Sequence, residues 1–173
     1  MQGWHRSLTR EGLAGVSTAV VLVGVAALGA AQGGMLLALT EAGIKHDFIV
    51  GASVGAINGG WIASRGDLQG VEELAQLWQG LSRTKVFPSR PLLGLMGMAG
   101  RRRNLVPDTG LRKLLVDNLR FEQLEDSTVP VHVIVTDVLS GEGVRLSSGP
   151  AVESILASAA IPAIFPPVRI GDR

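Results

Sequence analysis

The sequence predicts an α/β fold built on a mainly parallel β-sheet. Two β-branched runs, Thr18–Val23 and Phe48–Val50, are each followed by a stretch with apolar residues at helical spacing, Gly29–Ala42 and Val54–Ser64. A strand–helix–strand–helix order implies parallel strands joined by right-handed crossovers. Glycine is abundant (23 of 173 residues) and aromatic residues are scarce (4%), which suits close packing of helices on strands.

Further elements follow from the same patterns. Gly43 is placed to end the first helix, and Asp108 is placed as the N-cap of a later one. Residues 85–106 are rich in proline and glycine and are predicted to be irregular. The remaining elements are predicted as helices over Val71–Leu81, Leu111–Leu119 and Ala151–Ala159, and as strands over Val131–Thr136 and Val144–Leu146.

Length and composition bound the organisation and exclude several classes. A chain of 173 residues with 46% hydrophobic and 18% charged residues predicts one folded domain, with a poorly ordered lead-in over residues 1–17 and the domain over 18–173. The net charge of +1 does not indicate a nucleic-acid surface. The chain has no cysteine, and its three histidines lack ligand spacing, so no metal or other cofactor is predicted.

The stretch from Gly12 to Thr40 carries no charge and follows Arg6 and Arg10. Such a pattern is also found in signal peptides and membrane-spanning helices. Its repeated glycines and Gln32 fit a continuous apolar helix poorly. The sequence therefore predicts a cytoplasmic protein, with export as the alternative if residues 1–31 act as a signal segment.

A candidate nucleophile lies between the second strand and the second helix. Gly51-Ala52-Ser53-Val54-Gly55 reads G-x-S-x-G, the pattern of a strained turn that exposes a serine hydroxyl. Gly51 and Gly55 supply the small flanking residues that such a turn requires. We therefore predict Ser53 as the nucleophile, facing a helix N-terminus that favours developing negative charge.

The segment Gly24–Gly29 also joins a strand to a helix, and it can supply backbone N–H groups to an oxyanion. A phosphate loop is disfavoured because no Gly-Lys-Ser/Thr follows. A dinucleotide fingerprint is disfavoured because Val25 and Ala26 interrupt the glycines and Asp47 opens the second strand instead of closing it.

These motifs together resemble the patatin-like phospholipase family. The resemblance rests on four features: the strand Thr18–Val23 with the loop at Gly24, a helix ending in Glu41-Ala42-Gly43-Ile44, the G-x-S-x-G turn followed by Ala56 and Asn58, and the stretch Ala157–Val168. It implies a three-layer α/β/α fold whose C-terminal part lies beyond this chain. It further implies a Ser–Asp dyad that cleaves phospholipids or other acyl-ester lipids through an acyl-enzyme. Gly24, Val25 and Ala26 then correspond to the oxyanion hole.

The sequence departs from the family pattern in two places. Val25 and Ala26 stand where the family has glycine; they keep their N–H groups, but a side chain is costly if either residue needs positive φ. The dyad aspartate is expected within about 15 residues after Arg173, a hairpin length, since neither Asp137 nor Asp172 matches it. We therefore expect the 173 residues alone to show little turnover.

Two alternatives remain open at this level. The apolar loop Leu92–Ala99 beside Arg101–Arg103 fits a lid or peripheral membrane contact, and equally a partly buried loop with a solvated basic end. The protein as a whole could instead be a non-catalytic relic that binds lipid or a partner. The sequence does not indicate an oligomeric state.

Overall fold

The computed structural model describes residues 17–24, 29–80, 107–162 and 164–173. Their order confirms the predicted alternation of strands and helices. The strands are β1 (Ala19–Leu22), β2 (Phe48–Ala52), β3 (Val131–Thr136) and β4 (Gly143–Leu146). The helices are α1 (Gly29–Glu41), α2 (Val54–Arg65), α3 (Leu68–Gly80), α4 (Thr109–Asn118) and α5 (Ala151–Ala159), with a short 3-10 turn at Leu124–Asp126.

The four strands form one sheet in the order β1-β2-β3-β4. The first three run parallel, and β4 returns antiparallel beside β3. The α/β class and the mainly parallel sheet are thus confirmed. Because the carboxyl ends of parallel strands meet at one edge, the residues that follow β1 and β2 are brought close together.

Helix α2 lies close to both the sheet and α5 because two glycines remove the side chains that would hold it away. A Cβ on Gly59 would come within 3.0 Å of the Ile49 side chain, and one on Gly60 within 2.7 Å of Ile155 on α5. Helix α5 packs on both β3 and α2. Of the three predicted layers, the described residues show the sheet and the helical layer that contains α2 and α5.

The two faces of the sheet differ in burial. Ile49, Val131 and Val133 alternate along β2 and β3 on the face that α2 covers, and all three are buried. The intervening Val50 and His132 are only half-buried. This alternation has the period of two that a strand imposes.

The uncharged stretch that begins at Gly12 is divided between β1 and α1. Gly43 ends α1 with a φ of 70°, its N–H donating to Thr40 O while Ile44 N–H reaches back to Leu39 O, both at 3.0 Å. These two bonds form a Schellman motif, and the helix ends at Gly43 as predicted. Within the described ranges, no helix combines the length and apolar character needed to cross a membrane.

Asp108 precedes α4 as predicted, but its side chain does not cap the helix. Its backbone carbonyl accepts Arg112 N–H at 2.8 Å, while its carboxylate lies 3.6 Å from the Arg112 guanidinium. The carboxylate is thus engaged by the arginine, which the capping prediction did not anticipate.

Arg112 also joins α4 to α5 through Glu153, with 2.8 Å between nitrogen and oxygen. The hydrogen bond from Arg112 holds the pKa of Glu153 below its usual value of 4.5. Because the pKa of Glu153 is lowered in the folded state, the Arg112–Glu153 pair stabilises the fold above pH 4.5. This stabilisation is lost as the pH falls through the folded-state pKa. Since both groups are more than a third exposed, we expect Glu153→Gln to cost less than about 1 kcal/mol at pH 7 and to flatten the acid limb of a stability–pH curve. An unchanged acid limb in urea unfolding would contradict this prediction.

Candidate active site

The turn between β2 and α2 holds Ser53 in a strained backbone conformation. Its φ is 54° and its ψ is −123°, and it is the one non-glycine residue with positive φ in the part of the chain that the structure describes. Its carbonyl accepts Ala56 N–H at 2.9 Å and so begins the first turn of α2. The predicted strand–turn–helix context is therefore present, and Ser53 is half-buried at the carboxyl edge of the sheet.

Three glycines give this turn its room. A Cβ on Gly51 would lie 2.5 Å from Gly55 O, and a Cβ on Gly55 would meet the backbone oxygen of Leu22 in β1. A Cβ on Gly24 would lie 2.8 Å from the Cβ of Ser53 and 3.5 Å from its hydroxyl. The chain after β1 therefore passes directly beside the Ser53 side chain. The other two predicted oxyanion residues, Val25 and Ala26, lie outside the described residues, as does the loop Leu92–Ala99 with Arg101–Arg103.

A buried polar network holds the chain beside Gly24. Asn58 in α2 is fully buried, and its amide donates to Gly29 O at 3.1 Å and to Gln32 Oε1 at 2.9 Å. Its own oxygen accepts Trp78 Nε1–H at 2.9 Å. Gln32 in turn donates to Val23 O at 2.7 Å. Because the C=O and N–H of a trans peptide point in opposite directions, anchoring Val23 O also orients Gly24 N–H.

The turn Gly51–Gly55, called the elbow from here on, also contacts α5, on the side away from Gly24. Ser53 N–H donates to Ser158 Oγ at 2.8 Å, and Ser158 Oγ donates to Ile134 O at 2.6 Å. One hydroxyl thus joins the elbow, the end of β3 and α5.

The carboxylate of Asp137, which follows β3, belongs to a turn. It accepts Leu139 N–H at 2.8 Å and Ser140 N–H at 3.2 Å. These backbone hydrogen bonds, of which the one from Ser140 has the larger effect, hold the pKa of Asp137 below its usual value. A lowered pKa makes a weaker base, so these contacts agree with the expectation that Asp137 is not the base of the dyad.

His132 lies in the interior of β3, opposite Val50, and not at the strand end. Its Nδ1 forms a hydrogen bond with Ser147 Oγ at 2.9 Å, and its ring packs on Phe48 at 5.8 Å between centroids. The ring thus contacts β2 and the residue after β4. It lies two positions before the pairing of β2 with β3 ends.

Comparison with known proteins adds the decisive observation. The family model for patatin-like phospholipase matches residues 20–173. The chain belongs to this family.

Individual proteins similar to this patatin-like domain share only modest sequence identity with it. It is similar to neuropathy target esterase sws of Drosophila willistoni and of Drosophila melanogaster, each 28% identical over 156 residues. The match covers 90% of this chain and 10% of each relative, so the chain spans about a tenth of the length of the curated relatives it matches. A crystal structure of the type III effector protein ExoU matches with a TM-score of 0.45 and 18% identity, over 83% of this chain and 40% of that one.

Sequence reasoning did not assign a site role to Gln32, Asn58 or Ser158. Gln32 carried a usable signal, because it is a long polar side chain within an apolar stretch and such residues are seldom buried without a partner. Asn58 carried a similar one, as a polar side chain five residues after the predicted nucleophile on a predicted helix. Ser158 carried none, because its partners lie at sequence separations of 105 and 24 residues.

We expect Gln32→Leu to lower both stability and activity of the patatin-like domain. The change removes the donor to Val23 O, in a part-buried bond, and one acceptor of the fully buried Asn58, whose unpaired amide costs about 1–3 kcal/mol. The peptide that carries Gly24 N–H loses its anchor, so the reactivity predicted for Ser53 should fall as well. Urea unfolding and the rate of covalent labelling by a fluorophosphonate probe measure the two effects. Gln69→Leu, at an exposed position on α3, is the matched control and should stay within about 0.5 kcal/mol of wild type.

Proposed function

We propose that the chain is a serine lipid acyl hydrolase domain of the phospholipase A or esterase type, with Ser53 as its nucleophile. The observation that carries the proposal is the strained backbone of Ser53 at a strand-to-helix junction, with Gly24 against its side chain. Strain of this kind costs about 1–3 kcal/mol and persists where the surrounding structure maintains it. Together with the G-x-S-x-G sequence, it supports a nucleophile elbow.

In the proposed reaction, Ser53 Oγ forms a bond to the ester carbonyl carbon as its proton passes to a base. The oxyanion accepts hydrogen bonds from the amides of Gly24, Val25 and Ala26. The carbon–oxygen bond to the leaving alcohol then breaks, the alcohol takes the proton, and an acyl-enzyme remains. Water attacks the acyl carbon, and the fatty acid and free Ser53 are released.

The proposed base is the aspartate of a Ser–Asp dyad, as the family resemblance implies. The partner is then a phospholipid or other acyl-ester lipid. The protein contacts the membrane that contains this lipid peripherally. A cytoplasmic location is part of the same proposal. The alternative, a non-catalytic module that binds lipid or a partner, draws support from Val25 and Ala26 in place of glycine.

A fluorophosphonate probe separates the two functions. In a polypeptide that carries the dyad aspartate, the proposal expects covalent labelling of the peptide that contains Ser53, mapped by mass spectrometry, and loss of labelling in Ser53→Ala. Ser148→Ala, at an exposed serine after β4, should label like the wild type. An unlabelled Ser53 in folded protein would favour the non-catalytic alternative.

The dyad calls for a second comparison. Ester hydrolysis is measured on a polypeptide that carries the Asp-Gly of the family. We expect Ser53-dependent turnover, lost when the aspartate of that Asp-Gly is replaced by asparagine. Ser53-dependent turnover that survives this replacement would refute the proposed dyad.

A further inference from the structure

The hydrogen bond from Ser53 N–H falls where the parallel ladder of the sheet would continue. Strands β2 and β3 pair from Ile49 opposite Val131 to Ala52 opposite Ile134. Within this ladder Ile49 N–H donates to Pro130 O at 2.9 Å. Bonds of a parallel ladder recur every two residues along each strand, so two steps further on Ser53 N–H would donate to Ile134 O.

The hydroxyl of Ser158 is inserted into that bond. It accepts Ser53 N–H at 2.8 Å and donates to Ile134 O at 2.6 Å. The elbow bends Ser53 away from β3, and the hydroxyl spans the gap as a bridging water would. Both backbone groups remain satisfied at the point where the strand turns, which a half-buried amide and carbonyl require.

The chemistry of a serine hydroxyl fixes its role here. It has one proton to donate and lone pairs to accept. Since the proton is directed at Ile134 O, the hydroxyl faces Ser53 N–H with a lone pair and has no second proton for Ser53 Oγ. Ser158 is therefore suited to hold the backbone and not to exchange protons with the nucleophile.

We propose that Ser158 is a positioning residue: its hydroxyl replaces the next β2–β3 ladder bond and so holds Ser53 in its bent, positive-φ conformation. The positioning role rests on the proposed function of Ser53 as nucleophile. Without the hydroxyl, Ser53 N–H can reach Ile134 O only if the elbow flattens towards β3, which would move Oγ away from the chain at Gly24.

The test compares Ser158→Ala, Ser158→Thr and a matched control. The control is Ser154→Ala on the same helix, because Ser154 is fully buried and its hydroxyl donates to Pro150 O at 2.8 Å without touching the elbow. Three quantities are measured: the exchange rate of the Ser53 amide by NMR, the second-order rate constant of fluorophosphonate labelling at Ser53, and Tm.

For Ser158→Ala we expect Ser53 amide exchange to rise by at least about tenfold, as for the loss of a protecting bond. We expect the labelling rate to fall by about ten- to a hundredfold, the range for a misplaced reacting atom. Ser158→Thr keeps the hydroxyl and should restore both quantities. Ser154→Ala should lower Tm but leave both unchanged. If Ser158→Ala does not fold, Ser158→Cys, a weak donor and acceptor of similar size, should change both quantities in the same direction.

The outcomes separate this inference from the proposed function. Wild-type amide exchange and labelling in folded Ser158→Ala would overturn the positioning role. If the wild-type polypeptide that carries the dyad aspartate does not label, the proposed function fails, and the amide exchange alone decides whether Ser158 holds the elbow. If Ser154→Ala changes exchange and labelling as much as Ser158→Ala does, the effect belongs to α5 as a whole and the inference is wrong.

Discussion

Replacing Ser53 with glycine is expected to abolish ester hydrolysis and to leave the fold at least as stable as the wild type. The proposed nucleophile is lost, so labelling and turnover should fall to background. The fold is stabilised by relief of backbone strain, because a φ of 54° is strained for any residue with a Cβ and is readily adopted by glycine. Relief of left-handed strain is worth roughly 1–2 kcal/mol, partly offset by the greater freedom of glycine in the unfolded chain.

The comparison with Ser53→Ala isolates this effect. Both variants lack the hydroxyl, but alanine keeps the strain, so Ser53→Gly should be about 1 kcal/mol more stable in urea unfolding. The order should reverse at Ser154, in the interior of α5, where glycine is expected to be about 1 kcal/mol worse than alanine. A Ser53→Ala protein that is more stable than Ser53→Gly would show that the elbow stores no strain.

Replacing Gly55 with alanine is expected to destabilise the fold by about 3 kcal/mol or more, at or beyond the upper end for overpacked sites. The added Cβ would meet the backbone oxygen and carbon of Leu22 and lie 2.9 Å from its Cβ. Backbone atoms cannot rotate away as a flexible side chain can. Strand β1 would have to move, and its pairing with β2 would suffer.

Gly34→Ala in α1 is the matched control. A Cβ at Gly34 meets nothing within 4 Å, so the change should stabilise the helix by about 0.5–1 kcal/mol. Urea unfolding of the two variants measures both signs. A neutral Gly55→Ala would mean that α2 does not approach β1 as closely as its contacts indicate.

Much of the fold could be predicted from local sequence. Strand β3 and helix α5 begin and end at the predicted residues, because a β-branched run and a proline stop are signals carried by adjacent residues. The turn at Ser53 was predictable for the same reason, since its small flanking residues are its immediate neighbours. The side chain of Asp108 was not, because an arginine one turn along the helix competes for the same carboxylate.

The surroundings of the elbow could not be predicted in this way. Gln32 contacts Asn58 across 26 residues, and Ser158 contacts Ser53 across 105. Such pairs depend on how helices pack on the sheet, which no local pattern states. A buried polar side chain predicts that a partner exists, but only the packed structure identifies it.

The span between Ser53 and Ser158 also determines when the turn at Ser53 can take its bent form during synthesis. The contact crosses 105 residues, so the chain between the two serines must be made before it can close, and non-local pairings of this kind form late. A chain still emerging from the ribosome therefore lacks the hydroxyl that bridges Ser53 to β3. On the proposed function, we expect the growing polypeptide to gain its acyl-transfer chemistry only after α5 has docked.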